Sequence, residues 1–236
     1  MDKTIGIIGG MGPLATVDMF NKIVTLTEAN IDQDHIHIII DNNPGTPDRL
    51  NFLFRDGESP EKALVQSAIK LQSMGADALI MPCNTAHYFY DAIKKYVSID
   101  FINMVDETAK EIKKALPFCK RVGLLATKGT YSTGVYDKIF TPYEIEVIKP
   151  DIEGQGYIAE LIAAVKKGQK TFNLTNIYRV LEDMKKEKVE IFVLGCTELP
   201  IAFQKFDIKE KYIDPTTVLA CSAIRYAGKT VRIQNS

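Results

Sequence analysis

Two rhythms of apolar residues alternate along the chain. Short, nearly continuous apolar runs at 4–8, 35–40, 79–81, 101–104, 121–127, 145–148 and 191–194 have the length and composition of buried strands. Between them, apolar residues three and four apart predict amphipathic helices. Leu14, Val17, Phe20, Ile23, Val24 and Thr27 define one that runs to about residue 30, and others cover 60–74, 85–96, 105–116, 136–140, 156–167, 173–186 and 217–226. Ser59 and Pro60 predict an N-cap and a first helical residue, while Gly75 and Gly168 predict helix stops. Residues 52–58 read as polar and irregular, and Asp106 and Asp214 as N-caps. Strands alternating with helices imply parallel sheets covered by helices on both faces.

The pattern then repeats. After Pro117 the run 121–127 echoes the opening strand, and Lys128-Gly129-Thr130-Tyr131-Ser132-Thr133-Gly134 stands where the first half has the glycine loop Gly9-Gly10-Met11-Gly12-Pro13. Gly6 precedes Cys83 by nearly the interval at which Gly123 precedes Cys196. The expected fold is therefore α/β, with two similar domains related by a pseudo-twofold duplication. The first spans 1–116 and is completed by the C-terminal helix 214–230; the second spans 117–213. The polar tail 229–236 is expected to fray.

Candidate chemistry collects at two strand ends. In Met81-Pro82-Cys83-Asn84-Thr85-Ala86-His87, Pro82 stops the strand and a cysteine follows, at the sheet edge where open α/β proteins bind ligands. Leu194-Gly195-Cys196-Thr197-Glu198-Leu199 repeats the arrangement. A free cysteine alone is usually a small buried apolar residue, which is how Cys119 and Cys221 are read. Two in matched contexts predict one site with two thiols at the domain interface. His87 suggests a thiol–imidazole pair with Cys83, but from a helix it would point away from the strand end, so a structural role is favoured.

Composition narrows the class. Of the 236 residues, 46% are hydrophobic and 25% charged, with a net charge of -1, which points to neither nucleic acid nor an anionic membrane as partner. The first residues lead straight into a strand, without the pattern of a signal peptide, so a soluble cytoplasmic protein is expected. Four widely spaced cysteines and three histidines form neither a disulfide framework nor a zinc pattern, and no metal is expected.

Ile7-Ile8-Gly9-Gly10-Met11-Gly12-Pro13, Pro82-Cys83-Asn84-Thr85-Ala86-His87 and Gly195-Cys196-Thr197-Glu198-Leu199, in this order, resemble the aspartate/glutamate racemase family, nearest its aspartate racemase branch. The resemblance covers essentially the whole chain. It implies a cofactor-independent isomerase that interconverts L- and D-aspartate, with glutamate or a broader range as the competing preference, and a homodimer as the usual assembly. Cys83 and Cys196 would act as base and acid on opposite faces of the substrate Cα, with one thiol pKa lowered by a helix N-terminus or a nearby cation. Met11, Arg49, Asn84, Thr85, Thr127, Lys166, Thr197 and Glu198 would contact an acidic amino acid. Arg49 matches the family's carboxylate-binding arginine, whose planar fork suits that task. Lys166 falls where a second basic residue is expected, with Lys167 an equal alignment. Thr130 shares the second loop with Thr127. Glu198 would either raise the Cys196 pKa or hold an ammonium group.

Three rival readings are weaker. Gly10-x-Gly12-x-x-Ala15 satisfies a dinucleotide fingerprint, but Pro13 removes an amide at the helix start and Asp41 comes too late in sequence. A thiol hydrolase would need only Cys83 with His87. A binding protein without turnover would leave the substrate Cα hydrogen unexchanged. Within the wider superfamily, hydantoins and maleate are further substrates, and Arg49 favours an acidic amino acid over them.

Overall fold

The computed structural model describes residues 2–232. These form two compact units, one running from the chain start to Glu107 and including the stretch that begins at Thr216, the other Thr108–Pro215.

The first unit is built from β1 (Ile5–Gly9), α1 (Pro13–Leu26), β2 (Ile38–Asn42), α2 (Arg49–Phe54), α3 (Glu61–Ser73), β3 (Ala78–Ile80), α4 (Tyr90–Lys94) and β4 (Asp100–Phe101), and α5 (Met104–Ala115) leads out of it. Its four described strands are parallel in the order β2-β1-β3-β4. Ile5 pairs in register with Ile38 and with Ala78. All of β1 is buried, because helices cover both faces of the parallel sheet and strands flank it on both edges. Ile5, Ile7 and Ile80 pack on one face with Met19, Ile23, Leu219 and Ile224. Ile8, Ile39 and Leu79 pack on the other with Leu64, Leu71, Phe89 and Ile93.

The second unit repeats the plan with β5 (Arg121–Ala126), α6 (Lys128–Thr133), α7 (Val135–Phe140), β6 (Glu146–Ile148), α8 (Ile152–Lys166), α9 (Thr175–Lys186), β7 (Ile191–Gly195), α10 (Glu198–Lys205) and β8 (Tyr212–Ile213). Its sheet is parallel in the order β6-β5-β7-β8, the same order as the first. Leu125, Phe192 and Leu194 pack there against Ile158, Leu161, Leu181, Leu199 and Phe203. After β8, helix α11 (Pro215–Tyr226) returns to the first unit, where the Tyr226 hydroxyl donates to Asp100 Oδ2 at 2.8 Å.

Several sequence expectations are corrected. Leu14, Val17 and Phe20 lie on the exposed side of α1, and the face that packs is Thr16, Met19, Ile23 and Leu26. Residues 52–58 are irregular only after Phe54. Asp48 caps a helix that begins at Arg49, accepting from the Asn51 amide at 2.8 Å. The expected loop after β5 is helical too, because the Thr127 hydroxyl accepts from the Thr130 amide at 3.3 Å and Gly134, at φ 60°, ends the helix in the left-handed region. Asp106 is not an N-cap: Asn103 Oδ1 accepts from the amides of Val105 (3.0 Å) and Asp106 (3.2 Å), leaving Asp106 in the first turn. Asp214 directly precedes α11. The tail is held further than expected, through a Lys229–Asp2 ion pair of 2.6 Å and a bridge from Val231 to Thr27. Residues 233–236 of the expected frayed segment lie outside the described residues.

Gly10 fixes the loop after β1. It adopts φ +93°, and a Cβ there would stand 2.3 Å from the Asn43 carbonyl carbon and oxygen. Gly10→Ala therefore combines left-handed strain with an overlap onto backbone, which has no rotamer to move away. A loss of about 2 kcal/mol in urea unfolding is expected, and a change under about 0.5 kcal/mol would contradict the close approach.

Candidate active site

Each unit delivers one cysteine to the same place in its sheet. Cys83 follows β3 and Cys196 follows β7, each the third strand in its sheet order, and each sits at the C-terminal end with 8% exposure. Parallel strands aim their C-terminal ends the same way, so this edge is where loops gather side chains.

Around Cys83, Pro82 and Asn84 are buried as well, and Thr85 is 8% exposed. The segment Thr85–Phe89 is a 3-10 helix rather than the expected start of an α-helix, with α4 following it. The reason is His87. Its ring Nδ1 lies 2.9 Å from the Cys83 carbonyl oxygen, the acceptor that an α-helical His87 amide would use, and that amide turns to the Asn84 carbonyl at 3.1 Å. The Met104 amide donates to His87 Nε2 at 3.1 Å, which makes Nε2 the acceptor and Nδ1–H the donor. Burial presses the ring's pKa down to about 4, only partly opposed by its bond to the Cys83 carbonyl. His87 is thus a neutral strut between the Cys83 turn and the start of α5, and its ring nitrogens are both engaged with backbone.

Met11 is buried in the same apolar cluster as Cys83, so the structure makes it a core neighbour of that turn. Arg49 opens α2 and is half-buried, with Nη1 donating to the Pro47 carbonyl at 3.3 Å. Phe52, one turn further on, packs on the Cys83 cluster and lies 5.6 Å from the Phe89 ring, which holds α2 beside the 3-10 helix.

The Cys196 end is more polar. Sγ lies 2.9 Å from Glu198 Oε2, the Thr197 hydroxyl donates to the same oxygen at 3.0 Å, and Lys166 Nζ is 3.5 Å from Glu198 Oε1. This chain of contacts separates the two lysine alignments: Lys166, the last residue of α8, reaches the cysteine's neighbour, while Lys167 is the C-cap. Burial, then the Glu198 carboxylate, pushes the Cys196 thiol well above its ordinary pKa. Thr127 and Thr130 are engaged with each other, their hydroxyls 3.2 Å apart, as the cap of α6.

Two tyrosines beside Cys196 escape sequence reasoning. The Tyr131 hydroxyl accepts from the Ala126 amide at 2.7 Å, and Tyr136 is fully buried. Burial raises both phenols above their ordinary range; the Asp214 carboxylate and then Cys196 add to the rise at Tyr136, and Cys196 adds at Tyr131. Both stay neutral, and Tyr131 stands alone among the polar and small residues of 128–134, where no pattern of apolar positions marks it. Among the described residues no group of three or more His, Cys, Asp or Glu is arranged to hold a metal ion, and no helix is long and apolar enough to cross a membrane.

Two parallel sheets of one strand order, each with a buried cysteine beyond the C-terminal end of its third strand, followed by asparagine or threonine, define a duplicated α/β scaffold with a thiol in each half. Comparison with known proteins gives the family: the Asp/Glu/hydantoin racemase pattern matches residues 8–223, and the chain belongs to that family of isomerases. A broad-specificity amino-acid racemase from Bacillus subtilis is 30% identical over 224 residues, 93% of this chain and 96% of that protein. The solved structure of Picrophilus torridus aspartate racemase superposes with a TM-score of 0.82 at 36% identity, covering 98% of this chain and 96% of the other. An aspartate racemase homologue from Pyrococcus horikoshii gives 0.78 at 27% identity, covering 97% and 100%. A Francisella tularensis glutamate racemase, at 19% identity and 0.66 over 99% of this chain and 85% of that one, shares the fold.

Proposed function

We propose that this chain racemises acidic amino acids, aspartate first, by proton transfer between Cα and two thiols without a cofactor. The observation that carries the reading is the recurrence of a buried cysteine at the end of the third strand in both sheets. Inversion at Cα needs a base on one face and an acid on the other, and Cys83 and Cys196 supply one group each. Asn84, Thr85 and Thr197 stand next to the thiols as donors for the carboxylate into which the carbanion's charge spreads. Arg49 and Lys166 supply the cations that an acidic substrate requires, and their selection of a second carboxylate is what favours aspartate over apolar amino acids. Glu198, whose oxygens face Cys196, Thr197 and Lys166, acts on the thiol rather than as a free anion for the substrate ammonium. The identity and coverage shared with the Picrophilus enzyme support aspartate. Those shared with the Bacillus enzyme favour a second reading, a broad range of amino acids that includes glutamate.

The test is proton NMR in deuterium oxide, under reducing conditions and with no added cofactor, of L-aspartate, L-glutamate and a neutral amino acid in parallel. Loss of the Cα proton signal with accumulation of the D enantiomer, fastest for aspartate, is the expected result. Equal rates for all three would favour the broad range, and absence of exchange in every sample would refute racemisation. The rest of the reading, a cytoplasmic homodimer, follows the family resemblance, and sedimentation at micromolar concentration tests the dimer.

A further inference from the structure

The contacts of Cys196 are unequal to its role as one of two interchangeable bases. Its sulfur faces a carboxylate oxygen at 2.9 Å, that same oxygen also accepts from Thr197, and the other carboxylate oxygen faces Lys166 at 3.5 Å. Glu198 Oε2 therefore receives two donors and Oε1 a cation, an arrangement that suits an ionised carboxylate and a protonated sulfur. A thiolate at the same place would set two negative charges about 3 Å apart in a buried site, where like charges cannot both persist.

We infer that Glu198 is a positioning residue that fixes Cys196 as the resting proton donor of the pair, through the Sγ–H···Oε2 bond, with Lys166 facing the other carboxylate oxygen. This rests on the two-thiol reading above and deepens it. In the resting enzyme the S–H bond of Cys196 is intact and points at Glu198, and the first abstraction falls to the other thiol. Once Cys83 holds the proton taken from Cα, the carbanion pair forms the new C–H bond with the Cys196 proton, and the S–H electron pair stays on sulfur as a thiolate beside Glu198. That repulsion is relieved when the thiolate takes a proton from the next substrate or from water, so the donor state is restored. The two directions of racemisation then begin from unequal states, although the overall equilibrium between enantiomers is untouched.

The measurement is the pH dependence of carbamidomethylation by iodoacetamide, followed peptide by peptide by mass spectrometry in the full-length protein, with Cys83 in each sample as the reference. In Glu198→Gln the Cys196 profile is expected to move down by at least one pH unit, which makes Cys196 about tenfold faster to alkylate at pH 7.5 while Cys83 stays within about twofold. Lys166→Gln acts with the opposite sign, because an unneutralised Glu198 holds the proton harder, and Cys196 alkylation slows. That second variant keeps the inference testable if Glu198→Gln fails to fold. Thiolate absorbance at 240 nm, which needs no reagent access, must follow the same order. An unmoved or upward-moved Cys196 profile in Glu198→Gln, or faster alkylation in Lys166→Gln, overturns the inference. Neither readout involves turnover, so alkylation that behaves as expected in a protein giving no Cα exchange would sink the racemase reading and leave the proton assignment standing.

Discussion

Serine at Cys83 or at Cys196 lowers racemisation of the preferred amino acid by about 10²–10⁴-fold, the range for losing one positioned acid or base. A serine hydroxyl keeps nearly the size of the thiol but neither ionises near neutral pH nor returns a proton as readily, so the fold survives and one face of Cα is left without its group. The two variants should fail differently. Each retains one thiol, so slow exchange of the Cα hydrogen for deuterium, with retention of configuration, is expected for the enantiomer whose hydrogen meets the remaining thiol. Circular dichroism for racemisation and NMR for exchange separate the two events. Cys119 and Cys221 serve as controls, and serine at either keeps the rate per folded molecule within about twofold. Full racemisation by Cys83→Ser or Cys196→Ser would leave the two-thiol scheme without support.

His87→Ala is expected to cost about 4 kcal/mol of stability, from three contributions of the same sign. It removes a fully buried ring, it orphans the Met104 amide, and it frees the Cys83 carbonyl that holds the strand-end turn. The pH dependence gives an independent check. The folded ring's pKa is about 4, below the 6.5 of an unperturbed histidine, so between those values the unfolded chain binds a proton that the folded protein excludes. The stability this provides is fully present above about pH 6.5 and is lost as the pH falls toward 4, by about 3 kcal/mol. Urea unfolding at pH 7 and pH 4 should therefore show the gap between wild type and His87→Ala narrowing by that amount. A gap that stays constant would mean that the ring is protonated in the folded protein.

How much of this was legible in the sequence depends on the range over which each feature is encoded. The strand ends at Cys83 and Cys196 were legible because continuous apolar runs closed by Pro82 and Gly195 mark buried strands locally. The two-sheet α/β class followed from the alternation of strands and helices. The side of α1 that packs was not legible, since Leu14, Val17 and Phe20 recur at helical intervals just as Met19, Ile23 and Leu26 do, and only the sheet decides between them. Asn103 reads as part of the strand run and Asp106 as the cap, whereas Asn103 caps α5, because either side chain can cap a helix and the choice turns on where the chain leaves Phe101. Lys166 and Lys167 are equivalent in sequence and differ by about 100° around α8, a rotation that only packing against α10 fixes. The structural role of His87 is legible but its direction is not: the ring turns back to the Cys83 carbonyl at the strand end rather than away from it, held by an amide from Met104 that lies beyond the next strand.

The return of α11 to the first sheet sets an order of events during synthesis. Thr108–Pro215 is one uninterrupted stretch, and every residue of its apolar core is translated before α11. Ile5, Ile7, Met19 and Ile23 are translated long before Leu219, Ala223 and Ile224, which complete the cover on that side of β1. The nascent chain thus carries an incompletely covered apolar sheet face from the synthesis of β1 until that of α11, a long-range closure of the kind that slows folding and exposes a protein to aggregation or chaperone capture.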